Sequence, residues 1–99
     1  MDEQLNNYKR FSSWFRESIK GIYGTGCQSK FSKHTGFPLV TVSRWCSGNR
    51  IPSGYSLALI IQTIAEQQSA KNKIDYNDAF DTVSTNAVRS VLGLKNDNL

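Results

Sequence analysis

The sequence predicts an all-α fold, a compact domain of four to five helices, on three observations. Apolar residues recur at three- and four-residue spacing in successive segments, the period of a helix that buries one face. Glycines at 21, 24, 26, 36 and 48 stand where those segments stop, and glycine is the residue that most readily takes the left-handed exit. Pro38 and Ser53 stand where segments begin, the first with a preset φ and the second with a side-chain acceptor for an orphan amide. At 99 residues the chain has the length of one domain, whose single core is marginal unless the helices pack closely.

The first helix is expected over residues 5–22, with Tyr8, Phe11, Trp14 or Phe15, Ile19 and Ile22 forming an aromatic stripe for the core. A second, short helix is expected from Thr25 to His34 or Thr35. There Thr25 and Gln28 form a Thr-x-x-Gln capping box, Phe31 points inward, Lys30 and Lys33 point outward, and Gly36 ends the helix. The third is expected over residues 38–47, with Pro38 in its first turn, Val42 and Trp45 on one face, Thr41 and Arg44 on another, and Gly48 as its exit. A fourth is expected to be capped by Ser53, to carry Leu57, Ile60, Ile61 and Ile64, and to end near Gln67. Residues 68–73 read as a polar linker. Asp75 then caps a fifth helix with Phe80, Val83, Ala87 and Val91 along one side, Gly93 as its exit and a polar tail at 95–99. The expected organisation is a unit at 1–67 followed by linker, helix and tail at 68–99.

Composition narrows the class. No apolar stretch approaches the roughly 20 residues that cross a bilayer, so no membrane role is expected. The first seven residues are acidic and polar, without the basic and then apolar order of a signal peptide, and a cytoplasmic address is expected. In that compartment Cys27 and Cys46 stay as thiols. Cys27, His34 and Cys46 lack the close pairs from which structural zinc sites are built, so no metal is expected, and no other cofactor. A lone His34, with no Ser-His-Asp or paired-carboxylate arrangement and no phosphate-cradling loop, argues against an enzyme and against a small-molecule substrate.

Charge is unevenly placed. The net charge is +4, yet between residues 8 and 50 the eight basic residues Lys9, Arg10, Arg16, Lys20, Lys30, Lys33, Arg44 and Arg50 are opposed by Glu17 alone. From residue 51 onward four basic residues face five acidic ones. The cationic half is where a polyanion would dock; a merely solvated basic surface is the alternative.

Two short helices joined by a glycine turn form the layout of a helix-turn-helix. Gln28, Phe31, Gly36, Val42, Ser43, Arg44, Trp45, Gly48, Arg50 and Pro52 stand at the offsets of the string Gln-x-x-Leu-Ala-x-x-x-Gly-Val-x-x-x-x-Ile-Ser-x-(Ile/Trp)-x-x-Gly-x-x-x-Pro. Over roughly residues 8–67 the chain thereby resembles the lambda-repressor-like (Cro/C1-type, XRE) helix-turn-helix family. The resemblance implies double-stranded DNA as partner, with the helix at 38–47 in the major groove. It places Leu39, Val40 and Arg44 facing bases, with Thr41 as a further base contact. It places Gln28, Lys30, Ser47, Asn49 and Arg50 at phosphates, with Lys33 as a further phosphate contact. Arginine suits position 44 because its fork can bond guanine O6 and N7 together.

Two departures from the family string matter. Leu39 and Val40 stand where polar base-reading residues are usual, so they either meet thymine methyl groups or serve another partner. Phe31-Ser32 stands where Leu-Ala is usual, so the packing between the two helices must adapt.

The expected function is therefore that of a transcriptional regulator, most simply a repressor of phage, plasmid or bacterial origin. A homodimer on a two-fold site is expected, with the apolar side of the fifth helix either joining two copies or packing back onto its own domain. Two other functions fit the same residues: a protein-binding module on a helix-turn-helix scaffold, and a plasmid transfer or partition accessory protein.

Overall fold

A computed structural model describes residues 2–92, with side chains described from residue 8 onward. These residues form five helices and no strand: α1 (Asp2–Tyr23), α2 (Cys27–Thr35), α3 (Leu39–Ser47), α4 (Gly54–Asn72) and α5 (Tyr76–Leu92). The all-α expectation holds. Gly93 and the tail at 95–99 lie outside the described residues.

α1 begins earlier than expected, at Asp2, since no glycine or proline interrupts the polar residues ahead of position 5. Its Phe11, Phe15 and Ile19 are fully buried, while Trp14 is half-buried, so Phe15 takes the inward place. Phe15 meets Phe31 of α2 edge-on at 5.2 Å and Trp45 of α3 at 6.0 Å between ring centroids. One aromatic ring thereby holds three helices together, each ring pair adding about 0.5–1.5 kcal/mol beyond its area burial.

The capping box expected at Thr25 and Gln28 does not form. Gly24 (φ 71°) and Gly26 (φ 74°) both take the left-handed conformation, and Thr25 lies in the turn between them. α2 therefore starts at Cys27 with Gly26 as its N-cap and no side-chain cap bond. Its end is as expected: Gly36 at φ 87° donates its amide to the Ser32 carbonyl at 2.8 Å.

Pro38 sits one residue outside α3, with ψ 142° in the extended range; its carbonyl accepts from the Val42 amide at 3.1 Å and so opens the helix. α4 is capped by Ser53, whose hydroxyl oxygen accepts from the Ser56 amide at 3.5 Å. The expected end of this helix at Gln67 is corrected. α4 continues to Asn72, and residues 68–72 are its last turns rather than a linker, because no breaker occurs until Lys73 takes the left-handed cap at φ 56°. The Lys71 ammonium donates to the Gly21 carbonyl, joining the ends of α4 and α1.

Asp75 caps α5 as expected, its carboxylate accepting from the Asn77 amide at 2.7 Å. The buried face, however, is Ala79, Val83, Ala87 and Ser90. Val83 and Ala87 are buried and Val91 packs partly buried against the core as expected, while Phe80 is exposed, which corrects that one position of the stripe. Alanines at 79 and 87 let α5 lie close against α4 and α1, and that choice of phase turns Phe80 outward by about 100°. Ala79, Val83 and Ala87 belong to the same core cluster as Phe15, Phe31 and Trp45. Among the described residues no helix is long and apolar enough to cross a membrane.

Candidate nucleic-acid interface

The α2–α3 pair is built from its buried side. Phe31 and Val42 are fully buried and Trp45 and Cys46 nearly so, while Phe37 in the turn packs partly buried against them. Phe31, Val42 and Trp45 lie in one cluster, and Phe37 packs against it. Phe37 lies 6.4 Å from Phe31 and 5.0 Å from Trp45 between centroids.

The turn itself is held by side chains of α2. Ser32 donates its hydroxyl to the Phe37 carbonyl at 2.6 Å, Thr35 donates to the Phe31 carbonyl at 2.8 Å, and the Phe37 amide donates to Thr35 Oγ1 at 3.3 Å. Ser32, standing where the family string has alanine, adds a bond from its hydroxyl to a turn carbonyl that an alanine could not make.

With Val42, Trp45 and Cys46 turned inward, helical geometry puts Leu39, Val40, Ser43, Arg44 and Ser47 on the opposite, exposed stripe. Three expected base-facing residues, Leu39, Val40 and Arg44, share this stripe with Ser47, which was expected at phosphate. Thr41 is half-buried and lies at its margin. Ser43 was not expected as a contact, although its four-residue spacing from Leu39 and Ser47 carried the signal.

Beyond the stripe, Gly48 turns the chain at φ 80° and leaves Asn49 and Arg50 exposed next to the end of α3. This end is seated on α1, where Ser12 Oγ and the Tyr8 carbonyl lie 3.6 and 3.8 Å from the position a Gly48 Cβ would take. On α2, Lys30 and Lys33 are exposed and Gln28 is half-buried.

A second pairing was invisible in sequence. The Tyr23 hydroxyl and His34 Nδ1 are 2.6 Å apart, and the Lys30 ammonium donates to the Tyr23 carbonyl at 3.1 Å. Partial burial raises the Tyr23 phenol above its ordinary value. Residues 23 and 34 lie on different helices, so no spacing announces the pair.

The electrostatics of this region are one-sided. No aspartate or glutamate occurs from residue 18 to residue 65, a span that contains all of α2, the turn, α3 and the following loop. Behind α3, burial pushes the Cys46 thiol up to about 11, the nearby Cys27 adding to the shift and Arg16 opposing it; both cysteines are free. Among the described residues no three His, Cys, Asp or Glu side chains are grouped to hold a metal ion. No family model, curated protein or solved structure matches this chain.

Proposed function

We propose that this chain is a non-enzymatic, cytoplasmic transcriptional regulator that binds double-stranded DNA with α3 in the major groove, acting as a repressor by covering a promoter. The observation that carries the proposal is the two-sidedness of α3. Val42, Trp45 and Cys46 fix it to the core, while Leu39, Val40, Ser43, Arg44 and Ser47 are exposed on a stretch of chain, residues 18–65, that carries no carboxylate. A major groove about 12 Å wide admits one helix, and residues near the helix N-terminus approach the base edges. Lys30 and Lys33 on α2, and Asn49 and Arg50 after α3, are exposed and suited to phosphates.

Filter binding of random duplex across a salt series tests this. With about four to six phosphate contacts, the logarithm of affinity falls against the logarithm of salt with a slope of roughly −4 to −5. No affinity for any duplex at low salt ends the proposal. The exposure of Leu39 and Val40 favours one second reading, an apolar protein-binding face, whose affinity would be nearly indifferent to salt.

We further propose that the protein acts as a homodimer on half-sites about 34 Å apart. Because Val83 and Ala87 face the chain's own core, the pairing surface is the side of α5 that carries the exposed Phe80 and Val88 on either side of the smaller Ser84. Antiparallel pairing of two copies about Ser84 sets Phe80 against Val88. It also opposes the two helix dipoles.

A further inference from the structure

The first two side chains of α3 are apolar and open, Leu39 being 46% exposed and Val40 57%. The core does not need them, since Phe31, Val42 and Trp45 already close the α2–α3 angle without them. Their surroundings are cationic: Arg44 lies one turn further along α3, Lys30 and Lys33 are exposed on α2, and no carboxylate occurs from residue 18 to 65. An occupant that suits this surface is anionic as a whole and apolar at the point of contact. Duplex DNA meets both conditions where thymine projects its 5-methyl group into the major groove between acceptors and donors.

We infer that Leu39 and Val40 read thymine methyl groups, and that each half-site carries thymine within one or two base steps of a guanine read by Arg44. The inference rests on the DNA-binding function proposed above. The spacing follows from helix geometry. Val40 and Arg44 are four residues apart, about 6 Å along the helix axis. A long side chain on a helix leans toward the N-terminus, which brings the Arg44 guanidinium over the turn that holds Val40. Stacked bases are about 3.4 Å apart along each strand, so the two side chains reach the same or neighbouring base pairs.

The test begins by selecting bound fragments from a random duplex pool with the full chain. Each thymine of the selected site is then replaced singly by deoxyuridine, which removes the methyl group and leaves the pairing edge intact. At one or two positions near a guanine sensitive to Arg44→Ala, the replacement should weaken binding roughly fourfold per methyl. The corresponding Leu39→Ala or Val40→Ala variant should bind the thymine and uracil duplexes alike. Both positions are exposed on the helix, and an unchanged thermal melt of each variant shows that the fold is intact. A selected pool that stays random overturns the inference. Indifference to deoxyuridine at every position does so too, as does a methyl effect that persists in both alanine variants. Each of these outcomes leaves DNA binding standing; absence of binding to any duplex at low salt refutes the DNA-binding function itself.

Discussion

The Phe37 ring stands edge-on to the Trp45 indole, with centroids 5.0 Å apart and planes at 80°. One ring belongs to the turn and the other to the buried face of α3, so this contact fixes the angle at which the exposed stripe leaves the protein. Its energy is that of an ordinary core pair; its consequence is directional.

Trp45→Ala should cost about 3–5 kcal/mol, the range for truncating a large buried aromatic, which is a large part of the stability of a domain this size. Phe37→Ala, at a half-buried site, should cost less. Thermal unfolding followed by far-ultraviolet circular dichroism measures both, and equal losses would show that the turn, rather than Trp45, carries the packing.

Gly48→Ala and Gly36→Ala should each destabilise by about 1–2 kcal/mol, because both backbones lie in the left-handed region at φ 80° and 87°. A Cβ at 48 would meet Ser12 Oγ at an ordinary 3.6 Å, and one at 36 would meet nothing within 4 Å, so strain and not collision sets both costs. Urea midpoints should fall with unchanged slopes. A much larger loss at 48 alone would mean that α1 cannot yield at Ser12.

Arg44→Ala should lose discrimination at one base pair, worth about 1–3 kcal/mol, while binding random duplex almost as before. Lys30→Ala and Arg50→Ala should weaken all sequences alike and flatten the salt slope by about one unit each. Salt titrations on the selected site and on random duplex separate the two behaviours. Equal losses on both DNAs for Arg44→Ala would reassign it to phosphate.

The Cys46 thiol is pushed up to about 11 chiefly by burial, so the folded state disfavours its thiolate relative to the unfolded chain. A group whose pKa is raised by folding contributes its full stability below the unfolded value and loses that contribution as pH rises through the folded one. Between roughly pH 9 and 11 the wild type should therefore lose more stability than Cys46→Ala, as read by urea midpoints at each pH. In the folded protein at pH 8, a thiol reagent should modify Cys27, which is half-buried, well before Cys46. Simultaneous modification of both would contradict the burial that raises Cys46.

Phe80→Asp should abolish self-association in analytical ultracentrifugation, and a thermal melt should show a folded monomer that has lost only the partly covered ring and its contact with Tyr76. A wild type that sediments as a monomer at high concentration, free and on a two-fold DNA site, would remove the α5 pairing.

Much of the candidate site was legible because it is local. The spacing of Phe31, Val42 and Trp45, with glycines at 36 and 48, suffices to orient two short helices and to say that Arg44 faces outward. The start of α2 was misread because Thr25 and Gln28 fit a capping pattern whose backbone the two left-handed glycines do not supply. The contacts of Tyr23 with His34 and of Ser32 with the Phe37 carbonyl belong to tertiary packing, which no periodicity encodes.

The amino-acid order alone determined that the chain is helical, where its sharp turns fall, and that its excess positive charge lies before residue 51. These depend on near-neighbour sterics and on charge counting, which the chain carries wherever it goes. Tertiary structure decided the phase of α5. For α5, alanines at 79 and 87 permitted a closer approach to α1 and α4 than Phe80 would have, so the small side chains went inward and the aromatic ring was left outside. A hydrophobicity pattern ranks Phe above Ala for burial; the space between packed helices reversed that ranking.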